Sequence, residues 1–380
     1  QYRPLDGEIV RGRYRGHEIV ARGGQCDGAS VIEMLHVLQR FDLQDYFKHR
    51  ARYIELLARL THIGHQDEMV PDEEQVSQLM AARRELEILE SRILPGAADQ
   101  AEEEDPGETN HLSVVDALGN VVSLTQSIGP SFGSKAAHPE LGFFYAYSYV
   151  MNDDPVPFQR EKTSQSPAIL LQDGKPVVAI GSAGSRRIPG SVVQSIVNYI
   201  DHAMDPAHAV AYPREFFFGE DLRIETPDLD PSVLTNLEGK GFIVREHESL
   251  DGWFGRVQAI FIDPESGTIT GVSDPRDFGA ARGYCFDGQS AHARLQFPAW
   301  HGGHAAPCRH RGGRGDAEQR RQRGGRRGSG RSHAGRRGIG SLGTGRANRD
   351  AASPGRKQTH ILSRRRQQGA APYAARSIRP

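Results

Sequence analysis

Thr109 is the residue whose type and setting could carry a reaction almost alone. It opens the segment Glu108-Thr109-Asn110-His111-Leu112-Ser113-Val114-Val115-Asp116-Ala117-Leu118-Gly119-Asn120, an alternating strand pattern followed by a turn signal. A threonine at a newly made N-terminus carries both a nucleophilic hydroxyl and a base, its own α-amine. That amine has an ordinary pKa of about 8, suited to taking the hydroxyl proton at neutral pH. In the uncut chain the same nitrogen is an amide and is not basic, so the chemistry requires the Glu108–Thr109 bond to break. The Thr109 hydroxyl could itself attack the Glu108 carbonyl, an N-to-O acyl shift that makes maturation intramolecular. The stretch before it, 95–108, is polar and acidic and contains Gly96, Pro106 and Gly107. It reads as a deformable, reachable linker, as a cleavable bond needs.

Further motifs follow in order: Phe132-Gly133, then Ser164-Gln165-Ser166-Pro167, then Gly181-Ser182-Ala183-Gly184-Ser185-Arg186-Arg187-Ile188, and last Gly271-Val272-Ser273-Asp274-Pro275-Arg276. With Thr109, His111, Ser113, Val114, Val115, Asp116, Gly119 and Asn120 they resemble the γ-glutamyltransferase family. The small subunit of that family opens roughly Thr-Thr-His-x-Ser-Val-Val-Asp-x-x-Gly-Asn. Asn110 stands at the second threonine. The resemblance covers roughly residues 1–284, and motifs spread over such a length rarely recur by chance.

The resemblance implies an α+β fold, the four-layer αββα sandwich of the N-terminal-nucleophile hydrolases, here incomplete. It implies that 1–108 is the C-terminal part of a large subunit and that 109–284 is the small subunit carrying the nucleophile. It implies a γ-glutamyl amide such as glutathione as donor, an acyl-threonine intermediate, and water or an amine as acceptor, with no cofactor. Cleavage would leave two fragments of the same chain as partners. Ser127 falls where the family has a hydroxyl supporting the nucleophile. Gly184 and Ser185 align with a glycine pair whose backbone N–H groups form the oxyanion hole. Thr163 and Ser164 match a serine pair that holds the donor α-carboxylate, and Asp153 or Asp154 would anchor its α-amine. His111 is, on the family pattern, a structural neighbour rather than a base.

Departures from the pattern bear on the acyl group. Gly129 stands where many members have an asparagine. The aromatic run Phe143-Phe144-Tyr145-Ala146-Tyr147-Ser148-Tyr149 replaces an amide-rich stretch. An aromatic pocket would favour a different acyl group, so a related amidase or acylase is the first alternative. An inactive truncated or frameshifted remnant is the second, because the front half of the large subunit is not matched.

These groups must be positioned by regular elements. Arg11–Ala21 reads as a strand or hairpin, followed by a loop with Gly23, Gly24 and Gly28. Val31, Met34, Leu35, Leu38 and Phe41 have helical spacing, with Ser30 as the expected cap. Further helices are expected over 43–60, 72–93 and 191–204. After Thr109 the period becomes alternating: strands are expected over 112–116, 121–128, 168–171, 176–180, 222–225, 242–246, 257–262 and 268–272. Asp173-Gly174 marks a hairpin turn.

Composition sets the outer bounds. Residues 285–380 hold 21 Lys and Arg against 4 acids, which leaves 26 against 44 for residues 1–284. The near-neutral total therefore joins an acidic body to a basic tail rich in Arg and Gly. The tail lacks apolar periodicity and is expected to be disordered. It also lacks the interleaved aromatics of a nucleic-acid-binding arm, and a wrong-frame origin is the preferred reading. Cys26, Cys285 and Cys308 form neither a disulfide framework nor a metal-site spacing. No run reaches the roughly 18 apolar residues of a membrane helix. The opening Gln1-Tyr2-Arg3-Pro4 has neither signal-peptide pattern nor initiator methionine, so a fragment or processed product is expected. The family is often periplasmic or extracellular, and the compartment of this chain stays open.

Overall fold

A computed structural model of the protein describes residues 4, 6–64, 108–147, 160, 162–218 and 221–283. The chain divides into two units, Gln1–His310 and Arg311–Pro380, and every described residue belongs to the first. The helix expected over 72–93, the linker up to residue 107, Asp153, Asp154 and the basic tail lie outside the described residues.

The architecture is α+β. Its centre is a six-stranded sheet in the order β1-β2-β5-β6-β10-β11, with antiparallel neighbours throughout. β1 (Ile9–Tyr14) and β2 (His17–Arg22) form the expected hairpin. β5 (Ala168–Gln172) and β6 (Lys175–Ala183) form a second, and β10 (Arg256–Ile262) pairs with β11 (Ile269–Ser273). Positive φ at both Arg15 and Gly16, and at both Asp173 and Gly174, gives the turns the twist that matches their strands.

β6 explains how the layers stack. It is buried continuously from Val177 to Ala183, because both of its faces are covered. One face carries helices: α1 (Gly28–Leu38) lies on β1 and β2, and α4 (Ile188–Ile200) on β6 and β10. The other face carries a two-stranded ribbon, β3 (Thr109–Val115) and β4 (Val121–Ser127), in contact with β6 and β10. Helix, sheet and sheet are thus three successive layers among the described residues. Val31, Leu35, Leu170, Ile180, Val192 and Val257 meet in the core between the helices and the large sheet.

A smaller cluster lies beside this core. β7 (Glu215–Phe218), β8 (Asp221–Glu225) and β9 (Ile243–His247) form a three-stranded sheet, and α6 (Pro231–Gly239) makes the crossover between parallel β8 and β9. It packs Phe217, Leu222, Ile224 and Leu237 against Ile54 and Ala58. Between the two regions runs α5 (Pro206–Ala211), capped by Asp205, whose carboxylate accepts from the N–H groups of Ala207 and His208.

Three helix expectations change, and the one expected over 191–204 is α4, which begins at Ile188 and ends at Ile200. α1 starts two residues before Ser30, with Asp27 at the cap position, because the chain enters the helix directly from its backbone contact with Gln165. The single helix expected over 43–60 is two, α2 (Leu43–Lys48) and α3 (Arg50–Gly64). His49 breaks them with φ −109° and ψ 75°, after which α3 turns toward β7.

Candidate functional site

Four buried charges frame the end of the sheet where β6 finishes. Arg214 donates to Asp274 at 2.8 Å, and Arg276 donates to Asp274 at 3.0 Å and, through Nε, to Glu225 at 2.8 Å. All four side chains are essentially fully buried. Asp274 also accepts from the Val257 N–H at 2.8 Å, and Glu225 accepts from the N–H groups of Arg214 and Asp251. Both carboxylates are thus satisfied on several sides, which is what burial of charge requires. The facing guanidinium groups hold the Asp274 carboxyl below its ordinary range, against the opposing effect of burial. This explains the motif ending in Asp274-Pro275-Arg276: it is a structural clamp.

The clamp reaches the site through one backbone group. Arg214 Nη1 donates to the Gly255 carbonyl at 2.8 Å. Gly255 in turn lies against Gly184, where an added Cβ would stand 2.9 Å from the Gly255 Cα. Gly184 has φ 137° and Ser185 φ 54°, and they lead into a short 3-10 turn, Ser185–Arg187, ahead of α4. Serine therefore occupies a left-handed backbone position here, at a modest conformational cost. Ser182, just before, accepts from Ser191 Oγ at 2.9 Å and from the Arg256 N–H at 3.1 Å.

Thr109 stands at the start of β3, paired in register with Ser127. Its hydroxyl donates to Ser127 Oγ at 3.1 Å, and Ser127 Oγ also accepts from the Gly129 N–H at 3.1 Å. The bond before Thr109 is held by the same ladder. Glu108 N–H donates to the Gly129 carbonyl at 2.7 Å, and Ile128 N–H to the Glu108 carbonyl at 3.4 Å. Ser131 Oγ donates to the Glu108 carboxylate at 3.0 Å. The Thr109 hydroxyl, a hydroxyl partner and an N–H donor on the Glu108 carbonyl are thus brought together in the uncut chain.

His111 points inward from β3 and is only 4% exposed. Its Nδ1 lies 2.8 Å from Thr125 Oγ1 and its Nε2 3.1 Å from Ser113 Oγ. Burial pushes its pKa down to about 4. The ring fills the space above Gly181, where any Cβ would collide with it at 2.3 Å. Ser113 and Ser123 complete this layer by donating to the Ala179 and Ile180 carbonyls. His111 is a neutral spacer between sheets, with both ring nitrogens occupied.

A cleft of about 280 Å³ opens beside Thr109, lined by Thr109, Asn110, His111, Ala183, Arg256, Gln258, Asp277, Phe278, Gly279 and Ala280. Thr163 and Ser164 are not in its wall. They lie beyond β5, where Thr163 bridges to Cys26 and its N–H donates to the Gln25 carbonyl at 2.7 Å. Ser164 contacts the Asp27 carboxyl, whose pKa is raised chiefly by burial. The aromatic run, described as far as Tyr147, is exposed: Phe143, Phe144, Tyr145 and Tyr147 each show more than 40% of their surface. Phe144 stacks edge-on against Phe132, and the Tyr147 N–H donates to the Ile128 carbonyl at 2.9 Å, which ties the run to the end of β4. Among the described residues no group of three or more His, Cys, Asp and Glu could hold a metal ion.

The cleft wall formed by Arg256, Gln258, Asp277 and Phe278 was not anticipated from sequence. The signal was present in part. Arg256 and Gln258 alternate with buried Val257 and Ala259, so they share the face of β10 turned away from the helices. Asp277 and Phe278 lie past the last strand, where periodicity gives no information.

Comparison with known proteins follows the same residues. A family model described as gamma-glutamyltranspeptidase matches residues 1–284. An acylase ACY 1 proenzyme of a Pseudomonas species is 31% identical over 285 residues, 70% of this chain and 50% of that protein. The glutathione hydrolase proenzyme of Escherichia coli is 28% identical over 308 residues, 72% of this chain and 52% of that protein. The crystal structure of cephalosporin acylase from Bacillus halodurans superposes with a TM-score of 0.61 at 22% identity, over 74% of this chain and 55% of that one, and shares the fold. The chain spans about half the length of the curated relatives it matches. Three quarters of its length, including the Thr109 segment, the 181–188 turn and the buried Asp274–Arg276 clamp, follow one family pattern, and the chain belongs to the gamma-glutamyltranspeptidase family.

Proposed function

We propose that this chain is part of an amide hydrolase or acyltransferase of the acylase type, working through an ester on Thr109 after cleavage of the Glu108–Thr109 bond. The observation that carries the reading is Thr109 itself: it heads a strand, bonds Ser127 through its hydroxyl, and borders a cleft next to the 184–185 turn. In maturation the Thr109 hydroxyl attacks the Glu108 carbonyl carbon. The C–N bond breaks, the amide nitrogen takes the proton, and water later frees the Glu108 carboxylate from the ester. In turnover the freed α-amine takes the hydroxyl proton while Thr109 Oγ attacks the substrate carbonyl. Backbone N–H groups of Gly184 and Ser185 are the proposed oxyanion donors, and Thr163 and Ser164 the proposed acyl-side contacts. Loss of one such donor typically raises the barrier by about 2.7–4 kcal/mol.

The acyl group is better read as other than γ-glutamyl. Gly129 and the exposed aromatic run at 143–147 depart from the γ-glutamyl pattern, and acylases stand among the relatives. Glutathione and other γ-glutamyl amides are the second reading, supported by the glutathione hydrolases. The fragments 1–108 and 109–284 would stay together after the cut, since β2 of the first pairs with β5 of the second and they share one core. The same reading extends the three layers to the four of an αββα sandwich. Leu112, Val114, Val122 and Leu124, each 40–49% exposed on the ribbon's outer face, mark the side where the second helical layer would lie.

Two measurements test the proposal. Intact-mass analysis of the purified chain should find a fragment beginning at Thr109, and Thr109→Ala should stay whole. Glutaryl-p-nitroanilide, which carries the γ-glutamyl skeleton without its α-amine, should then be turned over faster than γ-glutamyl-p-nitroanilide. A preference for the γ-glutamyl anilide would restore the second reading, and a permanently uncut soluble chain would remove both.

A further inference from the structure

A trans peptide unit is a rigid plane whose N–H and C=O point in opposite directions. Whatever grips the C=O therefore aims the N–H. Two such units lead into the turn at the end of β6. Ala183–Gly184 carries the Gly184 N–H, and Gly184–Ser185 carries the Ser185 N–H. The second unit is gripped by backbone, since the Arg187 N–H donates to the Gly184 carbonyl at 3.1 Å. The first has a side chain on its carbonyl. Ser182 Oγ lies 3.0 Å from the Ala183 oxygen, and a carbonyl can only accept, so the hydroxyl proton points there.

We infer that Ser182 is a positioning residue for turnover: its hydroxyl aims the Gly184 N–H at the substrate oxygen that becomes negative. The inference rests on the acyl-Thr109 reading, in which that N–H is an oxyanion donor. Ser182 is fully buried, and its oxygen accepts from the Arg256 backbone N–H at 3.1 Å. Ser191 Oγ, 2.9 Å from both Ser182 Oγ and the Ile188 carbonyl, backs it from α4. The Arg256 N–H belongs in turn to the Gly255–Arg256 peptide, whose carbonyl receives Arg214 Nη1 at 2.8 Å. Two peptide planes are thereby joined through one hydroxyl. The line runs from the buried Arg214–Asp274 pair through Gly255–Arg256 and Ser182 to Ala183–Gly184.

Packing keeps the hydroxyl pair in place. A Cβ on Gly255 would stand 2.7 Å from Ser191 Oγ and 3.1 Å from Ser182 Oγ, and one on Gly184 2.9 Å from the Gly255 Cα. Glycine at 255, with φ 95°, is what lets the chain close over the two serines. A donor already aimed at the developing charge stabilises it without reorganisation, whereas a loosely held one spends part of that gain on turning. Maturation uses a different donor. The Glu108 carbonyl receives the Ile128 N–H at 3.4 Å, from the ribbon itself. Ser182 therefore bears on turnover and not on the cut.

The test separates cutting from turnover. Ser182→Ala should cut at Glu108–Thr109 as fully as the parent, which a misfolded chain cannot do. Its kcat on the better of the two anilides should fall roughly tenfold to a hundredfold, less than the loss of a whole oxyanion donor. KM should stay within about twofold, because the hydroxyl acts only on a donor to the transition state. Ser182→Cys, whose thiol is a weak donor, should recover part of kcat. Ser191→Ala, one step further back, should lose less than Ser182→Ala. Parent-level kcat in Ser182→Ala, a loss confined to KM, failure of that variant to cut, or no recovery in Ser182→Cys would overturn the assignment. Failure of the acyl-Thr109 reading has its own signature, absence of a Thr109 adduct by mass when the parent reacts with either anilide. The aiming role is then read by NMR of chain labelled at alanine carbonyls and glycine nitrogens, because only 183–184 and 334–335 are Ala-Gly steps. The 183–184 signal should move in Ser182→Ala and return toward the parent in Ser182→Cys, and an unmoved signal would overturn it.

Discussion

The two regions that meet at Thr109 are held in opposite ways. The β3–β4 ribbon turns its polar side inward: His111, Ser113, Ser123 and Thr125 face the large sheet, while Leu112, Val114, Val122 and Leu124 face out. It is attached by hydroxyl-to-carbonyl hydrogen bonds and by one imidazole above Gly181. The region beneath the 184–185 turn is attached instead by charge, through Arg214, Glu225, Asp274 and Arg276. Net contributions of neutral hydrogen bonds are about 1 kcal/mol each, whereas unpairing a buried charge costs several. The proposed nucleophile therefore rides on the softer support and the proposed oxyanion turn on the stiffer one. That division suits the proposed maturation, in which the peptide bond before the strand would be cut.

The largest expected effect isolates chemistry from support. Thr109→Ala should abolish cleavage at Glu108–Thr109 completely while changing stability by less than about 1 kcal/mol, since Thr109 is only half-buried and loses one exchangeable hydrogen bond. Urea melts of the variant and of the parent would check the second half. A large drop in stability would mean that the ribbon is a stiffer support than its contacts indicate.

Next in size is the clamp. Asp274→Ala takes the carboxylate partner from buried Arg214 and one of the two from Arg276, which keeps Glu225, and should destabilise the chain by about 3–5 kcal/mol. Denaturant midpoints measured at matched m-values would show it. A loss near 1 kcal/mol would erase the contrast between the regions. Gly181→Ala tests the ribbon's seat, because the new methyl must displace the His111 ring, at a cost of about 1–3 kcal/mol. Ser127→Ala should slow self-cleavage by roughly tenfold without blocking it, the value of one hydroxyl partner.

The smallest effect is a pH signature with one sign in each region. His111 in the ribbon has its folded pKa lowered to about 4 by burial, against 6.5 for the free group. The unfolded state then binds more protons between these values, so stability falls as pH drops from 6.5 toward 4. Glu215, buried on β7 with Arg50 at 3.6 Å, has its pKa raised to about 7 from 4.5, chiefly by desolvation. Here the folded state holds the extra proton, so stability falls as pH rises from 4.5 toward 7. Each slope is at most about 1.4 kcal/mol per pH unit. Glu215→Gln should remove only the second slope. Thermal melts at pH 5 and pH 7.5 would show the variant gaining relative to the parent at the higher pH, and an unchanged profile would place that carboxyl in a wetter setting.

Several features were set by local sequence. Asp173-Gly174 gives a two-residue turn wherever it is flanked by strands, because both residues tolerate positive φ. The alternation after Thr109 gives β3 and β4. Local signals failed where a neighbour distant in sequence decided. Ser30 looked like a cap, yet the contact of Asp27 with Gln165 starts α1 earlier. The helical pattern ran unbroken over 43–60, yet packing against β7 turns the chain at His49. Arg276 and Glu225 are 51 residues apart, and Arg214 and Asp274 are 60 apart, so no window of sequence shows that they neutralise one another. The cleft wall has the same origin. Arg256 and Asp277 come together only because β10 and β11 pair, and the environment that gives a charge its role is made by that pairing.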